Sequence, residues 1–398
     1  MILTLAILFL SASLLAEYYI FRKELPRVKG IYWRRIYIWG SVIVWAWTIL
    51  MYIAFKVFPN MPAGLYRFFE GTTPIFLFMC VAKIIFSVFA WVGRITRKPT
   101  VFYSIAIIGI ITVNCIMTYS STTGRWNIKV ERRDMVSQRV PESLDGFRIA
   151  VFSDVHAGTL LDRHVILRRM VDEINRLDAD IVINCGDLIN RHYTELEPEL
   201  LDILAGIEST YGVYSAAGNH EMGKYITTPG LTPEENLARV QKLQERIGWN
   251  LLIDETVFIN VGTETISVTG IGFPEELIEK KSHARLTQHT DYSYLYKDKK
   301  TGDFNITISH TPRTWEDILA TGRSTLTLSG HVHAAQMRLR TGRGKYWSPI
   351  AFLYEHWSGM YSEDGRYLYV NNGIGYSLIP MRIGVKPEVT LIELRKCG

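Results

Sequence analysis

Residues Phe147 to His156 read F-R-I-A-V-F-S-D-V-H. An apolar run ends at a serine, then delivers an aspartate and a histidine one residue apart. The same grammar recurs down the chain. Ile181–Cys185 is followed by Gly186 and Asp187, and Gly212–Ala216 by Gly218, Asn219, His220 and Glu221. Asn305–Ser309 is followed by His310, and Leu326–Ser329 by G-H-V-H from Gly330 to His333. Short apolar runs bounded by glycine and polar residues read as buried strands. Helical patterns separate the first ones. Asp162–Leu177 carries Val165, Leu167, Met170, Val171 and Ile174 at helical spacing; Glu195–Glu208 follows, then Pro233–Ile247 with Thr232 as its cap. Strands alternating with helices predict βαβ units and a sheet that is parallel at least in part. The pattern then turns β-rich, at Val257–Asn260, Ile266–Thr269, Gln336–Arg340, Leu368–Val370 and Val389–Leu394. The expected fold is α/β, with two packed mixed β-sheets flanked by helices over residues 143–398. Glu275 to Asp303 is charged and reads as an insertion or long loop.

Ligands of such sheets bind beyond the carboxyl ends of strands. Five strand ends here deliver oxygen or imidazole groups to one edge. A lone Asp-x-His after a strand is most often a turn with a surface histidine, and a lone G-N-H-E reads as a turn and a helix cap. The joint occurrence, in order and always at strand ends, favours a metal site. Carboxylate with imidazole suits Zn, Mn or Fe rather than Ca. Residues i and i+2 of an extended chain point the same way, so Asp154 and His156 are expected to share a target, as are His331 and His333. The candidates Asp154, His156, Asp187, Asn219, His310, His331 and His333 exceed the three or four protein ligands of one catalytic ion. Two divalent ions sharing one bridging carboxylate would use all seven.

The first 120 residues differ in kind. Four apolar segments, near Ile2–Phe21, Ile36–Phe58, Pro74–Val92 and Val101–Tyr119, are each about the ~20 residues a bilayer crossing needs. They predict a four-helix transmembrane domain over 1–120, with 121–142 as a polar juxtamembrane linker. Aromatic residues crowd the ends of the second segment (Tyr32, Trp33, Tyr37, Trp39, Tyr52), as in an interfacial belt. The first and third loops carry the cations (Arg22, Lys23, Arg27, Lys29, Arg34, Arg35; Arg94, Arg97, Lys98), which puts them in the cytoplasm. The expected product is an integral inner- or plasma-membrane protein with an extracytoplasmic catalytic domain. Lys83 falls inside the third span with no acidic partner visible in the spans, and is read as facing the bundle or snorkelling. The net charge of +5 over 398 residues gives no nucleic-acid-binding stripe. The four cysteines show neither zinc spacing nor a disulfide pattern, and Cys185 reads as core.

Asp154-x-His156, Gly186-Asp187, Gly218-Asn219-His220-Glu221, lone His310 and Gly330-His331-x-His333 together resemble the calcineurin-like metallophosphoesterase superfamily, over about Phe147 to Leu394. Y-V-N-N-G-I-G-Y-S from Tyr369 and P-M-R-I-G-V-K-P-E from Pro380 are similar to its membrane-anchored bacterial branch. The resemblance implies that Asp154, His156, Asp187 and His333 hold one ion, and that Asp187, Asn219, His310 and His331 hold the other. Asp187 would bridge them. His220 would face the phosphate and the leaving oxygen, so that His220 and Asp187 are the catalytic pair. Members often carry an aspartate three residues after the bridging one, orienting that histidine. Here the position is Asn190, so another acid such as Glu221 is a candidate substitute.

The resemblance implies a phosphodiesterase or pyrophosphatase with two divalent ions (Mn, Zn or Fe). The aromatic stretch Tyr346, Trp347, Phe352, Tyr354, His356, Trp357, Met360 and Tyr361 reads either as an apolar lip for a lipid-linked substrate beside membrane lipids, or as core aromatics of a β-hairpin. A phosphomonoesterase or nuclease is the alternative within hydrolases. A membrane receptor or transporter with a metal-binding ectodomain is the alternative outside them.

Overall fold

The computed structural model describes residues 2–58, 61, 63–223, 225, 230–280, 282–297, 304–377 and 379–397. The chain divides into two compact units. One holds residues 1–123 with Ile379–Met381; the other holds 124–378 and 382–398.

The second unit contains two six-stranded sheets. The first has the order β1 (Lys129–Ser137), β14 (Glu388–Lys396), β2 (Arg148–Phe152), β3 (Ile181–Asn184), β4 (Val213–Ala216), β5 (Trp249–Leu252). The second runs β12 (Gly359–Glu363), β13 (Arg366–Val370), β9 (Leu326–Ser329), β8 (Phe304–Ser309), β7 (Glu264–Ile271), β6 (Glu255–Val261). β2–β5 are mutually parallel, as are β7, β8, β9 and β13. Among the described residues two further strands, β10 (Leu339–Gly342) and β11 (Lys345–Trp347), pair with each other as a two-stranded sheet.

Alternation sorts each strand's side chains. Ile149, Val151, Ile181 and Ile183 face Val268, Ile306, Ile308 and Leu328 in the core between the sheets. Ala150, Phe152 and Val182 face outward onto Ile166, Met170, Leu200 and Val240 from the covering helices. Strands buried on both faces are continuously apolar, which is why these were legible. The helices of that layer are α5 (Arg163–Asn175), α6 (Pro198–Leu204), the short α7 (Asn219–Met222) and α8 (Pro233–Arg246). Thr232 caps the last through a reciprocal bond with Glu235.

Three expectations are corrected here. The stretch expected as a linker contains β1, which runs parallel to β14 through nine residue pairs. Only Met135 and Ser137 of it are buried. It is an edge strand guarded by charge, and charged edges read as linkers. The strand expected at Gln336–Arg340 begins only at Leu339, because Ala334, Ala335 and Gln336 all take positive φ. The charged insertion is not all loop: it holds α9 (Glu275–Glu279) and a turn of 3-10 helix at Ser293–Tyr296. Its residues 281 and 298–303 lie outside those described.

In the first unit the apolar helices are α1 (Ile2–Tyr19), α2 (Ile31–Val57), α3 (Ala63–Ile95) and α4 (Pro99–Ser121). Among the described residues three stretches, Ile31–Phe55, Gly64–Ile95 and Pro99–Trp126, are long and apolar enough to cross a membrane, not the four expected. The 18-residue α1 is at the short end of a bilayer crossing and carries Glu17. Glu17 also corrects the reading of Lys83. The ammonium is buried against the Glu17 carboxylate and donates to Ser41 Oγ at 2.9 Å, so it has an acidic partner inside the bundle. A second pair, Arg94 with Glu24, joins the first and third loops at one end of the bundle, with Tyr103 donating to Glu24 at 2.7 Å.

Candidate metal centre

The five polar loops leave the C-terminal ends of β2, β3, β4, β8 and β9. Asp154, His156, Asp187, His331 and His333 all take φ between +49° and +68°. The Asp-x-His and His-x-His pairs are therefore not extended, as expected from sequence, but wound through left-handed turns. Such strain in residues other than glycine persists only where surroundings enforce it, and it gathers at functional sites.

Three groups of ligand atoms form: Asp154 with His156 and His333, Asp187 with His310 and His331, and His156 with Asp187 and His220; within each group the atoms lie within 4.8 Å of one another. His333 Nε2 is 3.1 Å from Asp154 Oδ1 and 3.2 Å from His156 Nε2. His310 Nε2 is 3.0 Å from Asp187 Oδ2, while His156 and His220 Nε2 stand 3.9 and 4.0 Å from that oxygen. The Asp187 carboxylate thus takes part in two of the three groups. Asn219 Oδ1 is buried with no hydrogen-bond partner among the described residues, while its Nδ2 donates to Tyr225 OH at 3.0 Å. Two carboxylates with several imidazoles are a donor set that a divalent cation satisfies, and a buried carbonyl oxygen without a partner is a further candidate donor. Two carboxylates and four imidazoles of the seven candidates are drawn together, and all seven are buried.

The charges are balanced within the cluster. Burial alone would raise Asp187, but the imidazoles of His310 and His220 hold it well below the usual carboxylate range. Asp154 is likewise lowered, by His333 against its burial. Burial would lower His310, yet the Asp187 and Asp154 carboxylates hold it up at about 9. Burial, then His220, keeps His156 neutral, and burial with His283 does the same for His331.

His220 Nδ1 meets the backbone carbonyl of Asn190 at 2.5 Å. Glu221, a candidate for the place of the absent aspartate, does not meet the ring; the main-chain oxygen of Asn190 does. That loop is held by Glu195, whose carboxylate accepts from the N–H groups of Asn190, Arg191 and His192 at 2.6, 2.9 and 3.1 Å. Glu221 has another task. It accepts from the N–H groups of Asp187, Ile189 and Gly218 at 2.8–3.0 Å, tying the β3 and β4 loops together. Burial and the Asp187 charge push its carboxyl up to about 7. Cys185 is fully buried and its carbonyl fixes His310 Nδ1 at 2.7 Å, so its part is structural.

Three participants were not anticipated. Arg382, fully buried, donates to the carbonyls of Asn372 at 3.0 Å and Gly375 at 2.9 Å, so it pins the loop whose Gly375 N–H binds the Asp154 carbonyl at 2.7 Å. Tyr225 stacks on His220 with ring centres 4.6 Å apart. His283, from the charged insertion, lies 4.5 Å from the His331 ring and pairs with Tyr354 OH at 2.9 Å. Arg382 sits in a motif noted for its resemblance; Tyr225 and the lone His283 carried no spacing signal.

Residues 147–335 match the family model of calcineurin-like phosphoesterases. An uncharacterized metallophosphoesterase of Bacillus subtilis, YkuE, is 27% identical over 274 residues, covering 67% of this chain and 86% of that one. A transmembrane protein with metallophosphoesterase domain from Danio rerio is 27% identical over 300 residues, 73% of this chain but only 62% of that protein's length. A phosphopantetheinyl hydrolase structure from Mycobacterium tuberculosis is similar at 12% identity and a TM-score of 0.34, over 56% of this chain and 88% of that one, a likeness too weak to carry weight. Residues 147–335, which open with F-R-I-A-V-F-S-D-V-H, are thus a calcineurin-like phosphoesterase domain.

Proposed function

We propose that this protein is a membrane-anchored hydrolase of phosphodiesters or pyrophosphates that works with two divalent ions. The observation that carries the proposal is the buried cluster itself: Asp187 groups both with His156 and with His310–His331, and His156 groups in turn with Asp154 and His333, with Asn219 Oδ1 otherwise unpartnered. Asp154, His156, Asp187 and His333 would hold one ion. Asp187, Asn219, His310 and His331 would hold the other. Divalent ions there would supply Lewis acidity and a water ionised near neutral pH.

The chain's own residues do the rest. With Nδ1–H donated to the Asn190 carbonyl, His220 presents Nε2 to the site, where its protonated form gives a hydrogen bond to the leaving oxygen. Tyr225 fixes the ring's plane. Asp154 and Asp187 are buried, and in that low-dielectric setting their attraction for a divalent cation is stronger than it would be in water. No serine or cysteine nucleophile is required.

Substrate class is read from location: helices able to cross a membrane, and exposed aromatics after the His-x-His turn, favour a lipid-linked phosphoester. Basic first and third loops favour an extracytoplasmic catalytic domain. Purified full-length protein in detergent, stripped by chelator and given Mn²⁺, Zn²⁺ or Fe²⁺ singly, is expected to recover cleavage of a chromogenic phosphodiester over its monoester. Asp187→Asn is expected to lower the rate by about two to three orders of magnitude. A preference for the monoester would make it a phosphatase. Full activity with Asp187→Asn would refute the cluster as the catalytic centre.

A further inference from the structure

The aromatic stretch after His333 divides in two. Tyr354 and Ile350 are buried against Trp315, Leu368 and Val370, with Trp357 and Tyr361 packed beside them. That part is core. Tyr346, Trp347 and Phe352 are exposed, Phe352 to 70%. They belong to the two-stranded ribbon β10–β11 and the turn after it. Two-stranded ribbons without a third strand or a covering helix are marginal in water.

Register gives this ribbon two unlike faces. Leu339 stands opposite Trp347, and Arg340 opposite Tyr346. The Trp347 ring meets Phe352 edge-on at 6.1 Å, so Leu339, Trp347 and Phe352 make one apolar face, all exposed. On the other face the Arg338 guanidinium lies over the Tyr346 ring at 4.3 Å beside Arg340. Arg343 and Lys345 sit at the tip. No aspartate or glutamate occurs from residue 318 to residue 354, although the whole chain carries 39. Apolar aromatics beside a cluster of cations, on a hairpin that pairs with no third strand among the described residues, are the chemistry of the membrane–water interface. Tryptophan settles at headgroup level, and each nearby cation is drawn to anionic lipid. The same chain carries helices able to cross a membrane, so the bilayer is at high effective concentration.

We propose that the β10–β11 ribbon docks onto the anionic headgroup surface of the membrane in which the chain is anchored. Leu339, Trp347 and Phe352 enter the interface, and Arg338, Arg340, Arg343 and Lys345 hold lipid phosphates. The ribbon begins six residues after His333, so docking turns the candidate metal centre toward headgroups. This last step rests on the hydrolase reading; the docking does not.

The test is amide hydrogen exchange on the full chain in nanodiscs, one set of phosphatidylcholine alone and one with about 30% phosphatidylglycerol. Exchange across residues 338–352 is expected to slow at least about tenfold in the anionic discs, and to recover in about 0.5 M salt. R340Q/R343Q/K345Q is expected to abolish the difference. Exchange of β2 and β3, unchanged in that variant, shows that it folds. Equal exchange in both discs, or protection that follows protein concentration instead of lipid charge, as between two copies of the chain, overturns the proposal. Metal-dependent hydrolysis of a soluble diester, assayed on the same samples, reports separately on the hydrolase reading.

Discussion

Asp187 and His310 carry the electrostatics of the centre. With no ion present, the carboxylate holds His310 protonated to about pH 9, against 6.5 for an ordinary imidazole. A raised histidine stabilises the fold fully below pH 6.5 and ceases to do so as pH rises through 9. The metal-free protein is therefore expected to lose thermal stability between pH 7 and 9, by scanning calorimetry, and His310→Gln to flatten that slope. Metal binding needs the imidazole neutral. Uptake near pH 7.5 is expected to release about one proton per chain, seen as a buffer-dependent heat in titration calorimetry, with affinity tightening up to about pH 9. Uptake with no proton release would place His310 outside the ion's reach. His220 supplies a second expectation at this scale. Its partner is the Asn190 carbonyl, not the amide, so Asn190→Ala should leave kcat within about threefold. Glu195→Ala, which frees the N–H groups positioning that carbonyl, should cost about 100-fold, since displacement of about 1 Å has that effect. The reverse order would restore the side chain at 190 to the role of orienter.

The elements that place these residues are strand ends closed by glycines with no room for a side chain. A Cβ on Gly330 would lie 2.4 Å from Asp154 Oδ2 and 2.6 Å from Ser153 Oγ, and one on Gly218 would lie 2.8 Å from the Asp187 backbone nitrogen. Gly330→Ala is expected to displace the Asp154 carboxylate and weaken metal binding by about 10- to 100-fold, measured by competition with a chelating dye. Unchanged affinity would mean that Asp154 is no ligand. This scale also shows what the sequence disclosed. β2, β3 and β9 announce themselves because burial on both faces leaves only apolar residues, and the motifs after them mark the site's edge. β1 was hidden by the charges that protect an edge strand. The left-handed turns at Asp154 and His331 were hidden because nothing in D-V-H or H-V-H separates a bend from an extended pair; Gly330 and Gly373, pressed against Asp154, enforce the bend only after folding. His283 reaches His331 from across an insertion, a proximity that only the tertiary structure supplies.

At the scale of the molecule, an all-apolar pattern and loop cations make the helical unit legible, but its internal chemistry was not. Glu17 sits near the end of α1, 66 residues from Lys83, and no local pattern joins them. A cation and a carboxylate buried together are tolerable only as a pair, so removing one should cost far more than replacing both. Lys83→Met is expected to lower the Tm of the full chain in detergent more than the double variant with Glu17→Leu. Under the proposed function the two folded units divide anchoring from chemistry, and the central claim concerns the second: that hydrolysis depends on two ions held around Asp187. The measurement that meets it most directly is metal content per chain, by elemental mass spectrometry, taken beside the diester hydrolysis rate as ions are returned to the stripped protein. The account predicts a rate that rises to a plateau at about two ions per chain, with Asp187→Asn binding fewer and turning over almost nothing. A plateau reached with no bound ion, or full binding in Asp187→Asn with an unchanged rate, would contradict it.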